Sequence, residues 1–264
     1  ARNVVLSDAN ALVLGNIDIT GNLTVKAGGA LTSSGALVVG GTLSFDSGSF
    51  DITATNALND FATLEIVSAG SVTLRDQDEL SLAGISASSL NLNTGGALSS
   101  SGALVVSGAT TITAIGYDVS LTNAGNDFGS SVSVSGRNVT LADLDDISFG
   151  ASSISGNWVL TAQGAVGDSG AISVAGTTSL DAGGHAVTLD AAGNDFGGLV
   201  TLQGATAISL VDANALSFTG AAQTGALSLT AGGALSLGVL SAATHMTLAG
   251  TSVALDQTSV GGDL

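Results

Sequence analysis

Cysteine and proline are both missing from this 264-residue sequence, and only four side chains are basic against 21 acidic ones. Without cysteine, no disulfide or thiolate metal site can hold the fold, which suits a surface or secreted protein indifferent to redox state. The formal charge of −17 excludes nucleic acid as a partner, because phosphate binding needs Lys and Arg in number. Aromatics make up 3% and charged residues 9%, so the Glu-, Lys- and Arg-rich surface of ordinary helices is not available. No stretch reaches the ~18 consecutive apolar residues of a membrane helix, so no membrane insertion is expected despite an apolar share of 45%. No signal-peptide pattern opens the chain, and Ala1-Arg2-Asn3-Val4 already belongs to a repeat. The chain is therefore expected to be a piece of a longer protein, continuing into further repeats at both ends. Ends cut into a repeat would leave backbone groups open to stacking.

What the chain does contain is Ala, Val, Leu and Ile spaced by Ser, Thr and 38 glycines, a texture of short strands and tight turns. It is organised around Asn-Asp-Phe, found at Asn59-Asp60-Phe61, Asn126-Asp127-Phe128 and Asn194-Asp195-Phe196, in steps of 67 and 68 residues. One further step lands on Gly262-Asp263-Leu264, a worn copy. This internal repeat divides the chain into four units, 1–61, 62–128, 129–196 and 197–264, within one continuous domain.

Each unit opens with strand, acidic turn and strand, at 4–14, 72–82, 139–149 and 208–218. All four copies share Leu-x-Asp-x-(Asp/Asn)-x-(Leu/Ile)-x-(Leu/Phe), with the period-2 alternation of half-buried strands. Glycine turns follow, such as Gly28-Gly29-Ala30-Leu31 and Gly95-Gly96-Ala97-Leu98. In the third unit nine strand-like pieces come every seven or eight residues, at Val132, Val139, Ile147, Ile154, Trp158, Val166, Ile172, Leu180 and Val187. That spacing leaves no room for helices. It predicts an all-β parallel β-helix, or β-solenoid, in which each coil buries its face against the next. Three strands per coil then give three coils of about 22 residues per unit and about 12 coils in all. At about 4.8 Å per coil the length would be roughly 55–60 Å, and equivalent residues of successive units would lie about 14 Å apart.

The acidic turn is the first candidate for chemistry. Oxygen ligands two residues apart at Asp76/Asp78 and Asp143/Asp145 could supply part of a Ca²⁺ shell of about six to eight oxygens. The same residues serve a tight turn by bonding their own backbone, and the turn role is expected to win. No other metal and no cofactor is implied. Asn-Asp-Phe reads similarly, as a turn whose Phe (or Leu264) drops into the core. Trp158 aligns with Leu23, Leu90 and Leu227 and is expected to fill core rather than stack on a sugar. Tyr117 aligns with Phe50 and His185, close to Thr251, and a position so tolerant is not reserved for catalysis. His245 has no acidic neighbour in sequence to form a ligand cluster. The serines have no paired His, and four basic residues cannot build a lyase-like cluster, so no enzyme is expected. Thr111/Thr113 resembles an ice-binding pair, but Leu43/Phe45 and Thr178/Leu180 replace it in other units.

The glycine turns, together with Asn123-Ala124-Gly125-Asn126-Asp127-Phe128-Gly129 and Ala192-Gly193-Asn194-Asp195-Phe196-Gly197-Gly198, resemble the shaft repeats of filamentous-haemagglutinin-like exoproteins. The resemblance covers the whole chain and implies a right-handed β-helix, export by two-partner secretion, and a place in a bacterial surface or biofilm-matrix adhesin. No secretion domain is recognisable, and the matching motifs carry no binding residues to transfer. The expected role is a stiff acidic shaft, extracellular or on the bacterial outer surface, mediating adhesion or aggregation. The alternative is a segment that itself binds carbohydrate or protein, with exopolysaccharide or neighbouring adhesin chains as partners.

Overall fold

The computed structural model describes residues 2–260. Gly262-Asp263-Leu264, the worn fourth copy of the corner motif, lies outside the described residues. Strands are the only regular elements described, 29 of them, and the fold is a parallel β-solenoid of about 13 turns. The chain divides into two compact units, 1–130 and 131–264, and both show the same construction.

Along each strand, side chains alternate inward and outward because successive residues of an extended chain point to opposite faces. Leu23–Ala27 and Trp158–Ala162 both read buried, exposed, buried, exposed, buried. The inward residues stack on their counterparts one coil away in parallel register, making columns of Leu, Val, Ile and Phe. In the first unit one such column runs Val4, Leu23, Leu43, Leu64, with partners 19, 20 and 21 residues apart. In the second unit the corresponding column runs Val139, Trp158, Thr178, Val200. Trp158 is fully buried, its ring edge-on to Phe149 at 4.8 Å between centroids and 77° between planes. It sits in the core position expected of it, equivalent to the buried Leu23, Leu90 and Leu227.

The coil is therefore shorter than the 22 residues expected, and the repeat does not hold a whole number of coils. A second column of the first unit runs Leu12, Leu31, Ile52, Val72. Val72 opens the second acidic strand, yet it stacks on the column begun by Leu12 rather than by Val4. The second unit repeats this, with Ile147, Val166, Val187 and Ile208 in one column. Each sequence repeat thus spans about three and a third coils, and the next copy of a given strand stands on the next face. The expected three-coil repeat fails because the corner motif itself contains a tenth strand of two residues, Asp127–Phe128 or Asp195–Phe196. Read as a turn alone, the motif is left out of the strand count.

Thr111/Thr113 faces outward, whereas Leu43/Phe45 and Thr178/Leu180 face inward. The true equivalents of the threonine pair are Ser44/Asp46 and Ser179/Asp181, and the inward partner of Leu43 and Thr178 is Thr110.

The glycine turns are required by closeness more than by dihedral angle, since only five of the described glycines have positive φ. A Cβ on Gly102 would run into the carbonyl of Ala83 on the coil beneath, whereas one on Gly84 would meet nothing nearer than Ala103 O at 3.7 Å. Gly102→Ala should therefore lower the melting temperature by several degrees, while Gly84→Ala should leave it within about 1 °C. Thermal unfolding followed by circular dichroism checks both.

Candidate functional site

The two motifs that recur through the chain meet at one place, the junction between successive repeats. Asn59 is fully buried at the corner that closes the third coil. Its Oδ1 accepts the Leu37 N–H at 2.9 Å from the coil below. Its Nδ2 donates to Ala54 O at 2.9 Å in its own coil and to Arg75 O at 3.1 Å in the coil above. One amide thus ties three coils where the corner interrupts the backbone ladder. The backbone adds a fourth link, Gln77 N–H to Asn59 O at 2.8 Å. Asn126 and Asn194 are equally buried and repeat the first contact, accepting from Leu104 N at 2.9 Å and from Ile172 N at 2.8 Å. Asn126 Nδ2 donates to Leu121 O at 3.0 Å, whereas Asn194 Nδ2 turns to the Asp168 carboxylate at 2.6 Å.

The acidic turn of the following repeat completes the junction. Asp76 Oδ1 accepts the Phe61 N–H at 2.8 Å, and Asp212 Oδ2 accepts the Phe196 N–H at the same distance. The other oxygen of each carboxylate closes an Asx turn. Asp76 takes Asp78 N at 3.3 Å and Asp212 takes Asn214 N at 2.7 Å. Asp143 closes the same turn on Asp145 N at 3.3 Å, and Asp8 does so on Asn10 N at 2.8 Å. The phenyl rings of Phe61, Phe128 and Phe196 are buried in the core, as the sequence suggested. The middle residue of the motif stays at the surface, where Asp60 Oδ2 accepts Gln77 Nε2 at 3.0 Å.

Burial is the first cause of the electrostatics here. It pushes the Asp76 carboxyl up to about 6 against the pull of its two N–H donors, and nearby Asp78 and Asp60 add to the rise. Asp212 is also raised, by burial first and by Asp195 last. At the surface the Asp78 carboxyl is raised by slight burial and by Asp60 and Glu79, which share a shallow groove with it. In contrast, the bond from Lys26 Nζ at 2.6 Å holds the Asp46 carboxyl below the usual range.

Among the calcium candidates, Asp76 and Asp143 point inward, and Asp76 spends both oxygens on backbone N–H groups. Among the described residues no group of three or more His, Cys, Asp or Glu is placed to hold a metal ion. Phe50, Tyr117 and His185 occupy equivalent exposed positions of three different repeats, each after a left-handed glycine (Gly48, Gly116 and Gly184). Two features escaped sequence reasoning. One is the contact between the motifs, signalled by a near-constant separation of 15 residues from Phe61 to Asp76 and 16 from Phe196 to Asp212. The other is an outer asparagine ladder. Asn3 Oδ1 accepts Asn22 N and Asn22 Oδ1 accepts Thr42 N; Asn138, Asn157 and Thr177 repeat the pattern.

Asp76→Ala leaves the Phe61 N–H buried without an acceptor, at a cost of about 1–3 kcal/mol. For a chain of this size that is a fall of roughly 2–4 °C in melting temperature per kcal/mol. Asp76→Asn keeps the acceptor and should melt no lower than the wild type at neutral pH. Calorimetry on the two variants distinguishes loss of the bond from loss of the charge.

No curated protein and no solved structure matches the chain. Three consecutive segments, residues 1–68, 69–135 and 136–203, match a family described as repeats of unknown function (DUF5649). Their length is the period marked by the corner motif, and the strand columns continue in the same style beyond residue 203. The chain belongs to this family of repeats, three matched copies of which make up most of its length.

Proposed function

We propose that this chain is a shaft segment of a large secreted or cell-surface bacterial adhesin or biofilm-matrix filament, resembling filamentous-haemagglutinin-like exoproteins. Its work is spatial: a non-enzymatic, acidic stack of coils that projects or links binding regions, outside the cell or on its outer surface. The observation that carries the reading is the use made of the recurring residues. Asn59, Asn126 and Asn194, with Asp76 and Asp212, turn inward and bond backbone, so what the chain repeats is the means of stacking. Some outward positions change in kind from repeat to repeat, as Phe50, Tyr117 and His185 illustrate. The acidic surface supports solubility and keeps like surfaces apart.

A second reading, a carbohydrate-binding segment of the same adhesin class, is favoured by one surface groove. Thr201, Gln203, Thr219, Gln223 and Ser241 line it, side chains suited to sugar hydroxyls. Its ladder is interrupted by register shifts between Leu202 and Ala205 and between Phe218 and Gly220, the kind of irregularity that re-aims side chains.

A glycan array and exopolysaccharide precipitation with the purified chain separate the two readings. The shaft reading expects no saturable binding. Saturable binding that disappears in Gln203→Ala/Gln223→Ala would replace it with the second reading.

A further inference from the structure

We propose that the repeat junction is proton-operated: a proton taken up by the inward carboxyl, Asp76 in the first compact unit and Asp212 in the second, tightens the stack of coils. In both units this carboxyl accepts the corner Phe N–H at 2.8 Å, and among the described residues no cationic side chain is bonded to it. The groups facing Asp76 are Asp60 and Asp78, with Glu79 beyond Asp78 in the groove, Gln77 in the turn, and Thr94 in register on the coil above. Those facing Asp212 are Asp195 and Asn214, with Ala231 in register above. Every ionisable neighbour on this tally is acidic. The ionised carboxylate therefore suffers desolvation and like-charge repulsion together. The protonated carboxyl suffers neither and still offers an oxygen to the Phe N–H.

The sign follows from linkage. Because burial lifts the folded-state value above that of the unfolded chain, folding takes up protons in the window between them, and stability falls as pH rises through it. For Asp76 that window runs from 3.8 to about 6. The contribution is complete below 3.8 and lost above about 6. Most proteins weaken on mild acidification as paired carboxylates are neutralised; this junction should strengthen. The device concerns stacking alone and stands or falls separately from the adhesin reading.

The test compares melting temperatures of the whole chain at pH 5.0 and 7.5, for wild type, Asp76→Asn/Asp212→Asn, and Asp18→Asn/Asp190→Asn, which removes the same charge at the surface. The wild type and the surface control should melt roughly 3 °C or more higher at pH 5.0. The junction variant should melt higher than wild type at pH 7.5 and lose most of the pH dependence. Equal pH dependence in all three overturns the proposal. Should the junction variant fail to fold, the carboxyl carbon of Asp76 followed by NMR decides: a midpoint near 6 supports the device and one at or below 4 overturns it.

Discussion

A parallel coil has no partner for its backbone except the coil above and the coil below. The structure depends on keeping that ladder unbroken wherever the chain turns a corner. A buried N–H without an acceptor costs as much as several good contacts contribute, so each corner must supply a substitute. At the glycine turns the substitute is proximity, with backbone packed so closely on backbone that no Cβ fits. At the Asn-Asp-Phe corner side chains take over. The Asn59 amide reaches three coils at once, and Asp76 supplies the acceptor that Phe61 would otherwise lack.

The same constraint explains why two motifs recur with one period. Neither is a free-standing turn. The acidic turn of one repeat is the lid over the corner of the repeat before it, so a change in the spacing between them would strand the Phe N–H. A repeat of about three and a third coils also puts successive copies of a strand on different faces. A surface feature kept in every repeat would therefore move to the next face at each repeat rather than form a single row. That arrangement suits a stack whose repetition serves cohesion more than a linear binding face.

Much of the fold was legible in the sequence because the solenoid signal is local. Alternating apolar residues mark each strand, and Trp158 could be placed in the core simply by aligning it with Leu23, Leu90 and Leu227. The coil count was not legible, since Asp127-Phe128 and Asp195-Phe196 read as turn residues and yet each forms a two-residue strand. Nor was the fate of Asp76 apparent. Two acidic residues in a turn look solvent-facing, and only stacking shows that the first points inward while Asp78 stays outside. The outer ladder of Asn22 and Asn157 was hidden for the same reason, being a contact between residues 19 or 20 apart with no local signature.

The central claim, that successive repeats are offset by one strand, about a third of a coil, is tested most directly by distances between spin labels. Val13 and Thr73 lie three coils apart in one column, through Thr32 and Thr53, or about 14 Å between backbones. Val5 and Thr73 are equivalent in sequence, yet Val5 belongs to the column of Thr24, Ser44 and Glu65. Electron–electron double resonance on cysteine-labelled pairs should give a shorter distance for 13/73 than for 5/73. A shorter distance for 5/73 would restore the three-coil repeat and contradict the account.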